Sequence, residues 1–364
     1  MKFTISKEGL LKGLQMVQSV ITVHSPTAVL FNVLLTCDKE NLYLTATDMY
    51  ITMRYTLNAD VKKKGATTIP ARRLFNIIRE LPEQQVEMEV DEKDTAMIES
   101  GSSSIKIFGL SADDFPSMPV FKNERTFSVE QETFREMLRK TSYAVSNDES
   151  RPILNGVLLT VKDQKLGLVA TDGRRLALIE QELEIPVDVQ MNVVVPIKAV
   201  NELIKSLADE GNLKIQMDSQ FVAFETDNVR IVSKLIEGSY PNFQQVIPSH
   251  FEERLTVERG SFMSALRRAA LLTNEKFPSV KVEFGKNQIQ VSAVTPDVGE
   301  AHESVAVKYS GKQIASAFNP DFLIEPLRNL TSDEVYLELV DEMSPVVIKT
   351  ETPFLYVLMP LRMS

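Results

Sequence analysis

Charged side chains that could bind a substrate occur together in the phrase ATDGRRLA, where Asp172 and Gly173 directly precede Arg174 and Arg175. Arginine donates a fork of hydrogen bonds that matches a carboxylate or a phosphate. One hypothesis is therefore an enzyme of repeated α+β domains with an anionic-substrate site at Asp172, Arg174 and Arg175. A near-twin, LTATDMYITMRY, carries Thr47 and Asp48 124 positions earlier and lacks the arginine pair.

Other kinds of catalytic site find little support in the sequence. The chain has no phosphate-binding glycine loop, no G-x-S-x-G nucleophile motif and no H-E-x-x-H zinc motif. Its single cysteine, Cys37, cannot form an intramolecular disulfide or a paired-cysteine metal site. The three histidines, at 24, 250 and 302, are too far apart in sequence to suggest a metal site. We therefore expect no catalytic residue, no metal and no cofactor.

The two Thr-Asp pairs have a simpler structural interpretation. Each follows strand-like text, and we expect the threonine and aspartate side chains to accept hydrogen bonds from backbone N–H groups of a turn. In the second copy Gly173 creates an Asp-Gly pair, which is typical of a hairpin. That turn would place Arg174, Arg175 and Leu176 at the surface.

Composition indicates a folded protein of two to three domains, since the chain has 364 residues and is 43% hydrophobic. It contains no run of 18 apolar residues and no signal-peptide pattern at its start. We expect a cytoplasmic protein without a membrane partner. The formal net charge of −10 argues against nucleic-acid binding through overall positive charge.

Internal repeats organise the whole chain. The segments FTISKEGLLKGLQMV, FSVEQETFREMLRKT and LTVERGSFMSALRRAA each predict a short strand, a turn and a helix. The segments TTIPARRLFNIIRELP, VVVPIKAVNELIKSLA and IASAFNPDFLIEPLRNL repeat the same pattern. Further strands follow each helix. The sequence thus predicts three α+β domains, 1–122, 125–248 and 252–364.

Several motifs, in their order along the chain, resemble the bacterial DNA polymerase sliding clamp, the beta subunit that acts as processivity factor. They are PARRLF, LNGVLL, ATDGRRLA, SKLIEGSYPNF, TNEKF and the terminal VLMPLRMS. The resemblance covers the whole chain. It implies three tandem clamp domains, each with two helices packed on antiparallel sheets, that close as a head-to-tail homodimeric ring. It implies a non-catalytic protein that encircles duplex DNA without reading its sequence and tethers the replicative polymerase, the clamp loader and repair proteins.

Size and charge agree with a ring of two chains. Six bodies of roughly 35 Å diameter in a hexagon leave an opening of about 35 Å, which admits duplex DNA with a layer of water. The six predicted helices, 7–20, 71–81, 130–143, 197–208, 260–272 and 320–330, carry 13 Lys and Arg against 8 Asp and Glu, so the rest of the chain is net −15. A weakly positive lining and an acidic exterior suit sliding. The alternative is that basic residues occupy exposed helix faces because they are good helix formers.

The resemblance assigns residues to three surfaces. The DNA-facing candidates, which would contact phosphates, are His24, Arg72, Arg73, Arg151 and Lys198. The candidates for a pocket that captures partner peptides are Leu154, Thr171, Gly173, Arg174, Arg175, Leu176, Pro241, Val246, Asn319, Phe322, Pro345, Val357, Leu358, Met359, Pro360, Leu361, Arg362 and Met363. The dimer-interface candidates are Ile105, Ile107, Leu271, Leu272, Glu300 and Glu303.

The sequence departs from the family pattern at a few of these places. His24 and Gln245 stand where relatives can have arginine, and Phe322 stands where tyrosine occurs. At the expected interface Lys106 is the only basic residue of the SSSIKIF segment. The sequence also leaves open a scaffold protein that binds no DNA.

Overall fold

Secondary structure repeats three times along the chain. The computed structural model describes residues 1–21, 27–122, 124–183, 190–274, 276–296 and 298–362. The first repeat comprises β1 (Lys2–Ser6), α1 (Lys7–Gln18), β2 (Asn32–Asp38), β3 (Asn41–Thr47), β4 (Ile51–Asn58), β5 (Asp60–Lys63), β6 (Gly65–Pro70), α2 (Ala71–Glu80), β7 (Gln85–Val90), β8 (Thr95–Ser100) and β9 (Ser103–Phe108).

The second and third repeats follow the same order. The second comprises β10 (Arg125–Glu130), α3 (Gln131–Thr141), β11 (Gly156–Lys162), β12 (Lys165–Thr171), β13 (Arg175–Glu182), β14 (Met191–Pro196), α4 (Ile197–Ser206), β15 (Asn212–Met217), β16 (Phe221–Glu225) and β17 (Val229–Lys234). The third comprises β18 (Glu253–Glu258), α5 (Arg259–Ala270), β19 (Val280–Gly285), β20 (Gln288–Thr295), β21 (Gly299–Ala306), β22 (Ile314–Phe318), α6 (Pro320–Asn329), β23 (Glu334–Leu339), β24 (Val346–Lys349) and β25 (Phe354–Leu358). The predicted strand–helix pattern is confirmed.

Helix ends are set by local capping and by the spacing of apolar residues. The side chain of Ser6 accepts a hydrogen bond from Gly9 N at the start of α1, and Asn319 accepts one from Asp321 N at the start of α6. In α2 the buried residues are Ala71, Leu74 and Ile78, which lie three and four positions apart. Arg72, Arg73 and Arg79 are solvent-exposed, so α2 presents a basic face away from the core.

Strand pairing joins successive repeats. Within the described residues the strands form antiparallel sheets with the orders β5-β1-β7-β8-β9, β10-β15-β16-β17-β4-β3-β2-β6, β14-β11-β12-β13-β25-β24-β23-β18 and β21-β20-β19-β22. The second sheet joins repeats one and two where β17 pairs with β4. The third sheet joins repeats two and three where β13 pairs with β25. We call these two strand pairs the inter-repeat seams.

Compact units therefore do not coincide with single repeats. One unit contains residues 1–135 and 198–235, and the other contains residues 136–197 and 236–364. Each unit holds one inter-repeat seam, because the hydrogen-bonded sheet unites half of the second repeat with a neighbouring repeat. The boundaries 1–122, 125–248 and 252–364 stay predictions.

Each unit has its own apolar core. Phe3, Leu10 and Leu44 are fully buried in the first unit, and Phe262 and Phe318 are fully buried in the second. Burial of each such side chain contributes about 1.5–3 kcal/mol. These cores hold the helices against the sheets and so position the surface residues considered below.

The two Thr-Asp turns have the same hydrogen bonds. In the first, Met49 N donates to Thr47 Oγ1 (3.1 Å) and Ile51 N donates to Asp48 Oδ1 (2.7 Å). In the second, Gly173 N donates to Thr171 Oγ1 (3.1 Å) and Arg175 N donates to Asp172 Oδ1 (3.1 Å). The predicted role of these side chains, the satisfaction of backbone donors, is confirmed.

The residue after each aspartate adopts a left-handed backbone. Gly173 has φ 88°, and Met49 has φ 77° at the equivalent place. Glycine adopts this conformation without a steric penalty, whereas a residue with a Cβ does not. We therefore expect Met49→Gly to stabilise the protein by about 0.5–1 kcal/mol, after allowance for the greater freedom of glycine in the unfolded chain. The measurement is the midpoint of urea unfolding.

Met343 supplies the control, since it is similarly exposed (66% against 62% for Met49) and lacks a positive φ. Met343→Gly should leave the midpoint unchanged or lower it. A lower midpoint for Met49→Gly would contradict the strain argument.

Candidate functional site

Arg175 is the most enclosed charged residue of the ATDGRRLA segment. Its side chain is 7% exposed. Its Nε donates to Asp172 Oδ2 (3.0 Å), its Nη1 donates to Glu325 Oε2 and its Nη2 donates to the Tyr143 carbonyl (2.6 Å). The guanidinium lies 4.1 Å from the ring centroid of Phe322. The hydrogen-bonding groups of Arg175 thus face the protein interior.

The groups around Arg175 favour its charged form. Burial by itself lowers the pKa of Arg175, but Tyr356, Glu325 and Asp172 together raise that pKa above its usual range. The place of Arg175 in a peptide pocket stays a prediction, and the described hydrogen bonds give this residue a structural role as well. Arg175 connects the Thr-Asp turn to helix α6 of the third repeat.

The C-terminal segment is partly core and partly surface. Tyr356, Val357 and Leu358 are buried in β25, where Leu358 lies opposite Arg175 and Val357 lies opposite Leu176. Beyond the strand, Met359 N donates to the Arg174 carbonyl (3.0 Å) and Leu361 N donates to the Ala317 carbonyl (2.8 Å). Met359 and Leu361 are exposed. The backbone pairing therefore presents these two side chains at the surface beside the ATDGRRLA turn.

A buried apolar cluster supports this surface. Leu176 and Val357 belong to it, and Tyr240 and Phe243 pack against it. Pro241 is exposed beside them, and Val246, at the end of a 3₁₀ turn, is 51% exposed. We call the exposed set the tail groove; its members are Gly173, Arg174, Pro241, Val246, Met359, Leu361 and Arg362.

The remaining pocket candidates are more enclosed than the members of the tail groove. Asn319 is partly buried, and its side chain accepts a hydrogen bond from Asp321 N (2.9 Å), so it caps α6. Phe322 is partly buried against Arg175. The other candidates are the buried Leu154 and the partly buried Thr171, Pro345 and Pro360. Met363 lies outside the described residues.

The DNA-facing candidates differ in how their charge is compensated. Arg72 and Arg73 are exposed on α2 and line a concavity of about 740 Å³ with Phe31, Ile77 and Ile105. Lys198 donates to Asp48 Oδ2 and to the Val20 carbonyl (3.2 Å), and Arg151 Nε donates to Asp148 Oδ2 (3.1 Å). A cation already paired with a carboxylate attracts a phosphate less strongly. Arg72 and Arg73 are thus the strongest of these candidates. His24 lies outside the described residues.

Among the strands that end their sheets in the described part of the chain, two have counterparts (β4, β13 and β17, β25) that pair at the inter-repeat seams. They are β9 in the first unit and β21 in the second. Leu271 is 79% exposed, and Leu272 is partly buried. Glu303 on β21 accepts two hydrogen bonds from Arg268 (2.8 and 2.6 Å), which lower the pKa of Glu303. His302 Nε2 lies 3.7 Å from Glu300 Oε2.

The residues of β9 differ in their exposure. Ile107 is buried within its own unit, only 4% exposed, whereas its neighbour Phe108 is 71% exposed. Successive residues of a strand point to opposite faces, so the buried Ile107 places Phe108 on the outer face. Phe108, together with the 81% exposed Phe277, was missed by the sequence interpretation. The alternation of SSIKIF was the signal that could have found Phe108.

The residues that the structure describes contain no group of three or more His, Cys, Asp or Glu side chains placed to share a metal ion. Nor does any helix in the described ranges combine the length and apolar character needed to cross a membrane.

Known proteins match this chain over its whole length. Three families match in order: DNA polymerase III beta subunit N-terminal domain (residues 1–119), central domain (128–242) and C-terminal domain (244–362). The beta sliding clamp of Chlamydia pneumoniae is 36% identical over 363 residues, which is 100% of this chain and 99% of that protein. The beta sliding clamp of Pseudomonas putida is 32% identical, with 100% of both chains covered. The chain belongs to the beta sliding clamp family.

Solved clamp structures agree with this membership. A DNA polymerase sliding clamp from Bacillus subtilis is 28% identical and superposes with a TM-score of 0.96, with both chains fully covered. A sliding clamp from Pseudomonas aeruginosa bound to griselimycin is 31% identical, also with a TM-score of 0.96 and full coverage. The expected fold class, three tandem α+β clamp domains, is confirmed.

The Arg175 cluster gives a prediction about this clamp chain. We expect Glu325→Gln to destabilise the second unit by about 2 kcal/mol, because a hydrogen bond to a charged partner contributes about 1.5–3 kcal/mol and the guanidinium stays buried. Urea unfolding followed by tyrosine fluorescence measures this change. Glu342→Gln, at an exposed position, is the matched control and should have no effect. Equal midpoints for both variants would refute the proposed connection.

Proposed function

We propose that two copies of this chain join head to tail into a ring that encircles duplex DNA. As a member of its family, the chain is a sliding clamp that makes DNA polymerase processive, and it is not an enzyme. The proposal concerns how the ring closes, how it contacts DNA and how it binds its partners. Its site of action would be the cytoplasm.

The strand order of the repeats carries the proposal. At each inter-repeat seam, the third strand of one β-meander (β4 or β13) pairs with the last strand of the next repeat (β17 or β25). The equivalent strands that remain are β21 and β9, which are end strands of their sheets in the described part of the chain. Pairing of β21 from one copy with β9 from another would repeat the same seam. Two such seams between two copies close a ring.

Side chains beside the end strands support this closure. Phe108 and Leu271 are exposed, and Ile105 is partly exposed. Exposed apolar residues next to an unpaired strand are typical of an interface. Glu303 is already paired with Arg268 inside its own chain. We therefore assign the stability of the dimer mainly to backbone pairing and apolar contact.

DNA binding would rest on enclosure with weak phosphate contacts. Arg72 and Arg73 supply the uncompensated positive charge, while Lys198 and Arg151 are partly neutralised by aspartates. Few phosphate contacts mean a shallow salt dependence and free sliding. The alternative of an anionic-substrate enzyme is excluded by family membership, and Asp172 and Arg175 are occupied with each other.

Partner peptides would bind in the tail groove. The groove offers apolar side chains from Met359, Leu361 and Val246 beside the exposed Arg174. A flexible methionine and a guanidinium suit several ligands of related shape. A related clamp from Pseudomonas aeruginosa binds griselimycin, which supports a ligand groove in this family. The replicative polymerase, the clamp loader and repair proteins are the proposed partners.

Ring closure predicts a defined mass and a defined DNA behaviour. The wild-type protein should have twice the chain mass of 40.9 kDa in light scattering and should stay on a nicked circular plasmid but leave a linear one. Leu271→Asp should give a monomer, because dimer formation would bury a carboxylate at the interface. This monomer should be retained on neither the circular nor the linear plasmid. Val120→Asp, at an 81% exposed site, is the control and should stay dimeric. A dimeric, plasmid-retained Leu271→Asp protein would exclude this interface.

A substitution in the tail groove should weaken peptide binding without disrupting the dimer. A fluorescent peptide with a leading glutamine and a Leu-Phe end should bind Met359→Asp at least tenfold more weakly than wild type, since the charge replaces apolar contact. Light scattering should still show the dimer. Val120→Asp again serves as control, with unchanged peptide affinity. Unchanged affinity in Met359→Asp would place the peptide elsewhere, without affecting the case for the ring.

A further inference from the structure

Two arginines lie directly opposite each other at the first inter-repeat seam. Arg54 on β4 is paired in register with Arg230 on β17. Opposite residues of an antiparallel pair project to the same face of the sheet, and like charges there are destabilising. The adjacent Tyr55 lies on the other face, where a Cβ on Gly13 of α1 would meet its ring. The arginine pair is therefore on the face turned away from α1.

Arg230 has its charge compensated by its own repeat. Its Nη1 donates to Glu225 Oε2, and its Nη2 donates to Gln216 Oε1 (2.9 Å). Its side chain is 25% exposed. These contacts hold the guanidinium in place at the seam, with its charge balanced by one carboxylate.

The hydrogen bond and the ring contact of Arg54 are both with neutral side chains. Its Nε donates to Thr45 Oγ1 (3.3 Å), and its guanidinium lies 5.6 Å from the ring centroid of Tyr43. Burial, followed by the charge of Arg230, lowers the pKa of Arg54, and no carboxylate of the described residues compensates for this. Arg54 is thus a partly buried cation that faces a second cation.

The same row of the sheet carries further charge. Lys214 lies opposite Glu225, and Glu225 lies opposite Arg230. With Arg54, the row contains three cations and one carboxylate, on a chain whose net charge is −10. Strands are about 4.8 Å apart, so these groups lie within roughly 15 Å of one another. The row has an excess of two positive charges.

We propose that Arg54 and Arg230 form a binding site for a phosphate-type oxyanion at the first inter-repeat seam. Two guanidinium groups on one face can donate to several oxygens of a tetrahedral anion. A phosphate dianion balances both excess charges of the row, whereas a single carboxylate balances one. The site is separate from the tail groove and from the basic face of α2.

The phosphate could be free or carried by a mononucleotide. Tyr43, the aromatic ring at the site, is already stacked on Arg54. We therefore expect inorganic phosphate and thymidine 5′-monophosphate to bind with similar affinity, because the base has no ring to stack on. Much tighter binding of the nucleotide would assign the natural ligand to nucleotides and still support the oxyanion site.

Titration of the full-length protein at constant ionic strength, by calorimetry, tests the site. We expect saturable phosphate binding to wild type and at least tenfold weaker binding to Arg54→Gln. Arg54→Lys should bind with intermediate affinity, because it keeps the positive charge but loses the forked hydrogen-bond geometry of the guanidinium. Arg79→Gln, an exposed arginine of the same unit paired with Glu80, is the control and should bind as wild type does. Equal phosphate binding by Arg54→Gln and wild type, or none by either, would overturn the proposal.

Thermal unfolding supplies a second measurement that separates binding from folding. Phosphate should raise the midpoint of wild type and leave that of Arg54→Gln unchanged, because a ligand stabilises only the state that binds it. Without phosphate, Arg54→Gln should be at least as stable as wild type, since it removes a like-charge pair. A variant that is less stable in phosphate-free buffer would assign Arg54 a purely structural role.

Discussion

Antiparallel pairing between successive repeats is the interaction on which the other features depend. At the β13–β25 seam it places Arg175 opposite Leu358 and Leu176 opposite Val357. The tail groove exists because this register puts the ATDGRRLA turn beside the C-terminal segment. A slip of one residue would turn every side chain of β25 to the other face of the sheet. The same pairing at the β4–β17 seam creates the Arg54–Arg230 pair.

Local structure was largely predictable from the sequence. Apolar residues three and four apart in α2, and the Thr-Asp pairs at 47–48 and 171–172, depend on neighbours in the chain, so their structural roles followed from short segments. The side-chain environment of Arg175 could not be predicted from the sequence. Its ion-pair partner Glu325 is 150 positions away, and a local pattern contains no information about such a partner. The burial of Ile107 was not predicted for a different reason, because apolar character alone does not say which face of a strand is inside.

Ion pairing also distinguishes the basic residues that are proposed to contact DNA. A sum of the charges on the predicted helices counts Lys198 and Arg72 equally. In the structure, however, Lys198 is bound to Asp48, whereas Arg72 lines an open concavity. Isolated surface ion pairs contribute little to stability, about 0–1 kcal/mol. Their effect here is to reduce the local attraction for phosphate. A clamp that must slide benefits from this reduction.

The β13–β25 seam also constrains the order of events during synthesis. Strand β13 ends at Glu182, but its partner β25 begins at Phe354. At ribosomal synthesis rates of 5–20 residues per second, β25 is synthesised roughly 10–35 s after β13. During this interval the nascent chain presents an unpaired, apolar strand edge that could pair with another nascent chain. Synthesis of β25 therefore removes an aggregation hazard that exists from the time β13 leaves the ribosome.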